Sequence, residues 1–245
     1  MEIGIAGVVF VVSYLLGSIS FGRVVARRLD PDVDLDHVEM PIEGVDEAYQ
    51  LESIGGNTVS MKFGGRVGCL VGWLDIFKAF IPTLAVRLIY PDQPYVFVAA
   101  IAALIGHNWP ISYRFKGGRG ISPFYGGLFV IDPIGAVVVA FSSMLIGMVI
   151  LEELLFAYTG GVFLLLPWML ITKFSEPVYI VYAVIVNVLF IIALIPEIRQ
   201  IRDLRKKYGK QDMAADMQEF PMGRSMLKMM EKFRLRKTTV VSDEE

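Results

Sequence analysis

The sequence predicts an all-α protein that crosses a membrane several times. Of its 245 residues, 55% are hydrophobic and 20% are charged, whereas soluble domains contain about 25% charged residues. Mean hydropathy is +0.56, and the apolar residues are gathered into long runs. One cysteine and two histidines exclude a disulfide scaffold and leave little for a metal centre. The net charge of −2 provides no basic field for nucleic acid.

Seven apolar runs are candidates for membrane helices: 3–26, 67–90, 95–111, 121–131, 134–151, 154–172 and 178–195. A helix rises about 1.5 Å per residue, so about 20 apolar residues cross a hydrocarbon core of roughly 30 Å. The first run has its arginines after the apolar stretch, the reverse of an export signal, so we expect it to remain as a mature membrane helix. The fourth run reaches only about 17 Å as a helix, which predicts a short or re-entrant element.

The distribution of Lys and Arg predicts the topology. Basic clusters occur at 23–28, 62–66 and 114–119, and the segment after residue 196 holds 12 of the 23 Lys and Arg. Cytoplasmic loops carry such an excess. If the third run's end and the tail share one side, an even number of crossings separates them, so the fourth run must cross. This predicts seven transmembrane helices, with the N-terminus outside and the C-terminus in the cytoplasm.

Two segments are predicted to face water. Residues 30–52 contain nine acidic residues and no Lys or Arg, which indicates an acidic cytoplasmic loop over 29–53. The tail mixes charges with methionine-rich stretches beyond Gly209, a pattern typical of an amphipathic helix on the membrane or protein surface. We therefore expect a transmembrane domain over 1–196 and a charged cytoplasmic tail over 197–245.

The most informative motif is GHNWPISYRFKGGRG at 106–120, where the third run ends. Three glycines stand beside two cations, Lys116 and Arg119. Glycines allow successive backbone N–H groups to point at one ligand, and an Arg fork matches phosphate oxygens. A helix beginning here would also favour an anion. The motif predicts a phosphate site, and the alternative is a basic turn that only obeys the positive-inside rule.

Two further features add to this hypothesis. Asp75 and Lys78 lie three residues apart within the second run, hence on one helical face. Ions within a membrane usually face a cavity or a partner; here the choice is between a cation presented to an anionic site and a pair that only orients the helix. The segment SIGGNT at 53–58 offers a hydroxyl, amides and backbone donors on the same expected side as the 116–120 loop.

The order of these motifs resembles the PlsY-type acyl-phosphate:glycerol-3-phosphate acyltransferases. The matching stretches are YLLGSISFG at 14–22, GGNTV…FG…VG…LDIFK at 55–78 and GHNWPISYRFKGGRG at 106–120. The third is the specific one, because the family's KFKGG(K/R)G pattern recurs there nearly residue for residue. The similarity continues to about residue 195, with a comparable number and orientation of spans.

The resemblance implies an enzyme that moves an acyl chain from acyl phosphate to the 1-hydroxyl of glycerol 3-phosphate, giving lysophosphatidic acid for phospholipid synthesis. It implies no cofactor and no metal, and we expect a bacterial inner membrane location, a site facing the cytoplasm and no obligate protein partner. The catalytic candidates are His107, Lys116 and Ser53. His107 is either a general base or a residue that caps the helix end. The candidates for substrate phosphate binding are Gly55, Gly56, Asn57, Thr58, Lys62, Lys78, Asn108, Lys116, Gly117, Gly118, Arg119 and Gly120.

Two stretches depart from the family pattern. Met61 stands at the family's Arg position, and Ser53 replaces the family Ser only with a two-residue shift of the alignment. After the last run the family has a His-x-x-Asn-like signature, where this chain reads PEIRQI at 196–201, with Glu197 or Arg199 as candidate substitutes. Two alternatives therefore stay open: a non-catalytic paralogue that binds a phosphorylated lipid or partner, and a small transporter with a broken-helix site.

Overall fold

The computed structural model describes residues 1–40, 49–50, 53–151 and 154–208, which form a helical bundle. Its helices are α1 (Ile3–Gly17), α2 (Phe21–Leu29), α3 (Gly56–Phe63), α4 (Gly65–Ile89), α5 (Tyr95–Asn108), α6 (Ile121–Ile131), α7 (Pro133–Leu145), α8 (Leu154–Thr172) and α9 (Pro177–Tyr208). A 3₁₀ turn covers Ile111–Tyr113, and α7 continues as a π-helical turn over Ile146–Ile150. The predicted tail helix beyond Gly209 lies outside the described residues.

Six stretches of the described chain are long and apolar enough to cross a membrane: Ile3–Leu29, Gly65–Ile89, Tyr95–Tyr113, Pro133–Ile150, Leu155–Thr172 and Pro177–Gln200. Their outward faces are apolar, as lipid contact requires. On α4, for example, Trp73, Phe77 and Ile81 are exposed. The prediction of a polytopic helical membrane protein is confirmed, and α6 is an apolar helix of 11 residues.

The structure adds three local features to the prediction. The first apolar run is two helices, because the chain breaks at residues 18–20 before the amphipathic α2 begins. The all-α fold class is confirmed, and the acidic loop adds one detail to it: two short strands, β1 (Glu39–Met40) and β2 (Tyr49–Gln50), pair in antiparallel fashion. In addition, α9 passes residue 196 without interruption, so the predicted domain boundary falls inside a helix.

The short helix α6 lies at the centre of the main hydrophobic cluster. Its Phe124 and Leu128 pack with Leu104 of α5 and Phe190 of α9. Such burial on several sides suits a helix too short to span lipid alone, because neighbouring helices cover its backbone. At its far end, Asp132 accepts hydrogen bonds from the Gly135 N–H (2.8 Å) and the Trp168 indole N–H (2.7 Å). This cap turns the chain into α7.

Close packing of α1 on α5 fixes the helix end that carries the third motif. A Cβ added at Gly106 would lie 2.9 Å from the Ser18 amide nitrogen, a distance that real Cβ atoms do not adopt, so only glycine fits. The Tyr14 hydroxyl donates to the Trp109 carbonyl at 2.9 Å. The end of α5 is therefore held against the break between α1 and α2.

Candidate functional site

A cleft of about 280 Å³ lies where the two glycine-rich segments meet α4. Polar groups and backbone from residues 53–57, 107 and 118–122 form one part of its lining, and the face of α4 and Tyr158 of α8 form the rest. The lining residues are Ser53, Gly55, Gly56, Asn57, Gly68, Cys69, Gly72, Trp73, Asp75, Ile76, His107, Gly118, Arg119, Gly120, Ile121, Ser122 and Tyr158.

A main-chain hydrogen bond joins the two glycine-rich segments directly: the Ile54 N–H donates to the Gly117 carbonyl at 3.1 Å. Within the second segment, the Gly118 N–H donates to the His107 carbonyl at 3.1 Å, which ties the loop to the end of α5. Within the first segment, the Thr58 hydroxyl donates to the Ser53 carbonyl. The two segments therefore lie together at one end of the bundle, as predicted.

Among the described residues, Arg119 is the Lys or Arg that lines the cleft. Its Nε donates to the Glu197 carboxylate at 2.6 Å, and its Nη1 donates to the Ala193 carbonyl at 3.3 Å. Both acceptors belong to α9, and the Arg119 side chain is only 14% exposed. Glu197 comes from the stretch in which the chain departs from the family pattern, and the structure brings it to the loop that carries the best-kept motif.

The other predicted cations lie outside the cleft lining. Lys62 and Lys116 have exposed side chains. Lys78 is buried: its ammonium group lies 2.8 Å from an Asp75 carboxylate oxygen and donates to the Ile19 carbonyl at 2.7 Å. Ile19 belongs to the break between α1 and α2, where carbonyls lack helical partners. These contacts fit the alternative in which the Asp75–Lys78 pair orients helices.

His107 lies between Asp75 and the glycine loop. Its Nδ1 is 3.7 Å from the Asp75 carboxylate, and the ring is 8% exposed. A Cβ on Gly118 would collide with the ring nitrogen Nε2 and lie 2.8 Å from Cε1. Glycine at 118 therefore permits the imidazole to sit directly under the loop, at the cleft wall.

Asn108 is buried behind the loop and does not line the cleft. It is 3% exposed, and neither atom of its amide has a hydrogen-bond partner among the described residues. Gly120, which has a φ of +84°, covers it: a Cβ there would lie 3.2 Å from the Asn108 amide nitrogen. Gly117 supplies its carbonyl to Ile54 rather than lining the cleft.

The first residue of the 116–120 loop is held by Arg23 of α2, which in turn pairs with Asp36 of the acidic segment. Buried Arg23 donates to both carboxylate oxygens of Asp36 (3.0 and 3.2 Å) and to the Lys116 carbonyl (3.4 Å), and its guanidinium stacks over the Tyr113 ring at 4.9 Å. Hydrogen bonding to Arg23 holds the pKa of the Asp36 carboxyl below its usual value. No pattern in the sequence connects Asp36 with the loop.

Together these features define a class of protein: a polytopic membrane protein whose cleft places an arginine and glycine-rich backbone next to apolar walls. Such a combination suits a ligand with an anionic group and an apolar part. The family model described as glycerol-3-phosphate acyltransferase matches residues 7–204. The chain belongs to this family.

Individual relatives agree with this assignment. The chain is 30% identical to glycerol-3-phosphate acyltransferase 3 of Dehalococcoides mccartyi, over 75% of this chain and 86% of the relative. It is 34% identical to the glycerol-3-phosphate acyltransferase of Aquifex aeolicus, over 49% of this chain and 57% of that protein.

The fold is similar to crystal structures of PlsY (YgiH), an integral membrane glycerol 3-phosphate acyltransferase. With the glycerol 3-phosphate form the TM-score is 0.66 at 25% identity, covering 82% of this chain and 93% of that one. The lysophosphatidic acid form gives the same TM-score and coverage at 24% identity, a likeness in fold.

Proposed function

We propose that this protein is a membrane-bound glycerol-3-phosphate acyltransferase with acyl phosphate as its donor. It transfers the acyl chain to the 1-hydroxyl of glycerol 3-phosphate and releases lysophosphatidic acid for phospholipid synthesis. The observation that carries the proposal is the cleft in which Arg119, two glycine-rich segments and an apolar wall meet. Membership of the family supports glycerol 3-phosphate as the acceptor.

The cleft offers complementary places for both parts of an acylated phosphate. Arg119 and the backbone of the two segments form the anionic end, with helix α3 beginning at Gly56 and α6 at Ile121, so two helix N-termini face phosphate. Trp73, Ile76 and Tyr158 supply the apolar wall for the acyl chain. Ser53, Asn57 and Ser122 lie among them as hydrogen-bonding groups for the glycerol hydroxyls.

The reaction follows from an activated donor. The 1-hydroxyl oxygen attacks the acyl carbonyl carbon, an ester bond forms, and the bond from that carbon to the phosphate oxygen breaks. Inorganic phosphate leaves with the charge that Arg119 stabilises, and the hydroxyl proton passes to His107. The Asp75 carboxylate, 3.7 Å from Nδ1, stabilises the imidazolium that forms. No step requires a metal, a cofactor or a protein partner.

The same proposal includes the topology of seven crossings. Arg119 precedes α6 and touches Glu197 near the end of the apolar part of α9, so an even number of passes joins them: α6, α7, α8 and α9. This supports a crossing by the short α6. Because Lys and Arg gather on cytoplasmic sides, we also propose that the N-terminus is outside, that the site and C-terminus lie in the cytoplasm, and that the location is a bacterial inner membrane. A membrane-impermeant label applied to sealed vesicles of known orientation tests it.

Purified protein offered acyl phosphate and labelled glycerol 3-phosphate tests the reaction. We expect lysophosphatidic acid and inorganic phosphate in equal amounts, and no product when acyl-CoA replaces acyl phosphate. Ser53→Ala, at the cleft, should lower the rate, whereas Ser112→Ala, on the exposed 3₁₀ turn, should not. Absence of product from the wild type contradicts the proposal.

The protein's single cysteine separates binding from turnover. Cys69 is exposed and lines the cleft, so bound glycerol 3-phosphate should slow its modification by a thiol reagent. Protection without any acyl transfer would favour the non-catalytic paralogue. Movement of glycerol 3-phosphate across liposomes without acyl transfer would favour the transporter.

A further inference from the structure

We infer that Glu197 is a positioning residue that holds the Arg119 guanidinium in the orientation that receives phosphate. The inference rests on the proposed function for the identity of the phosphorylated substrate. It assigns a role to the end of the apolar stretch of α9, where the chain carries PEIRQI.

Two edges of the guanidinium are occupied by α9. Glu197 Oε2 lies 2.6 Å from Nε, and the Ala193 carbonyl oxygen lies 3.3 Å from Nη1. The two acceptors are four residues apart, hence one helical turn apart on one face. Because a guanidinium is planar with five N–H donors, fixing these two edges fixes the plane and leaves the other donors for the cleft that Arg119 lines.

Burial makes the electrostatic attraction between Arg119 and Glu197 stronger than that of a surface ion pair. The Arg119 and Glu197 side chains are 14% and 19% exposed, so solvent screens them less than a pair in open water. A free Arg side chain loses substantial rotamer entropy when it orders on a ligand. An arginine already held by α9 avoids much of that loss when phosphate arrives.

The carboxylate also has an opposing effect. Its negative charge partly cancels that of Arg119 and weakens the attraction for phosphate at long range. Removing the charge as in Glu197→Gln therefore strengthens phosphate binding if charge dominates, and weakens binding and turnover if orientation dominates. The sign of the change distinguishes the two, and the inference requires a weakening.

The test measures kcat and KM for glycerol 3-phosphate in wild type, Glu197→Gln, Arg119→Ala and the double variant. We expect Glu197→Gln to lower kcat/KM about tenfold. In the Arg119→Ala background it should change kcat/KM less than about twofold, because Glu197 acts through Arg119. Glu176→Gln is the matched control, since Glu176 pairs with Lys173 on the surface.

Two results overturn the inference: unchanged or improved kcat/KM in Glu197→Gln, or an equal loss in both backgrounds. If the wild type transfers no acyl group, the proposed function fails, and the inference is judged on binding alone. Half-maximal protection of Cys69 by glycerol 3-phosphate should then need about tenfold more ligand in Glu197→Gln, and an unchanged concentration contradicts the role.

Discussion

The two cations of the 116–120 loop, three residues apart, lie in different environments. Lys116 has an exposed side chain, and the loop is held there through its carbonyl, which accepts from Arg23. Arg119 is largely buried, lines the cleft and is held through its side chain by Glu197. One end of the loop is thus an anchor, and the other presents a guanidinium group to the cleft.

The anchored end is also where the backbone is strained. Arg114 and Phe115 have φ values of 52° and 61°, in the left-handed region that is unfavourable for residues with a Cβ. Arg23 stacks on Tyr113 and bonds the Lys116 carbonyl on either side of them. The acidic segment and α2 therefore support the loop's shape, whereas α9 holds the Arg119 side chain that lines the cleft.

Replacing the two cations in turn should separate the roles of Lys116 and Arg119 most clearly. Arg119→Ala should lower kcat/KM for glycerol 3-phosphate about 100-fold, because it removes a preorganised donor set for the departing phosphate. Lys116→Ala should lower it less than about tenfold, because that side chain is outside the cleft lining. Steady-state kinetics checks both, and an equal or larger loss in Lys116→Ala would show that Lys116 closes over the substrate.

The middle of the loop should show an intermediate effect. Gly118→Ala places a methyl group against the His107 ring, so either the loop or the imidazole must shift. We expect about a tenfold loss of kcat, since displacement of a reacting group is costly. Gly7→Ala, whose Cβ would meet nothing within 4 Å, is the control. Wild-type turnover in Gly118→Ala would contradict the placement of His107 at the cleft.

The smallest effect should come from the anchored end and concerns stability. Hydrogen bonding to Arg23 lowers the pKa of Asp36, so Asp36 stabilises the fold above its unfolded pKa of about 3.9. This stabilisation is lost as pH falls through the lower folded pKa. Asp36→Asn should therefore cost less than about 1 kcal/mol near neutral pH, because Asp36 is 42% exposed.

Thermal unfolding in detergent checks this pH dependence. Below about pH 4 the wild type should approach the midpoint of Asp36→Asn, while the two separate at higher pH. Asp32→Asn, an exposed change in the same segment, should track the wild type throughout. A constant difference between wild type and Asp36→Asn down to about pH 2 would mean that the carboxylate charge is not what Arg23 recognises.

The sequence predicted the helices well because membrane burial imposes long apolar runs on each of them. It missed the break at 18–20, since Ser18, Ile19 and Ser20 are apolar or small and do not interrupt the run. The break becomes intelligible only with Lys78, 59 residues later, which donates to the Ile19 carbonyl. Hydropathy cannot register such a tertiary contact.

The site was only partly predictable. Glycine spacing located both segments, and Gly68 on α4 was a further signal, because the absence of a Cβ there lets α3 pack closely against α4. The Arg119–Glu197 pair could not be predicted, because the two residues are 78 positions apart in the chain. The role of Asp36 could not be predicted either, because nothing distinguishes it from the other eight acidic residues of its segment. Lys78 shows the opposite case. The sequence made it a candidate for phosphate binding, whereas in the structure its ammonium group contacts Asp75 and the Ile19 carbonyl.

A single main-chain bond, from the Ile54 amide to the Gly117 carbonyl, links two loops that come from different connections of the bundle. A ligand that orders one loop therefore restricts the other as well, so the entropic cost of ordering is shared between them. Binding of a first ligand at one loop should then raise the affinity for a second ligand at the other.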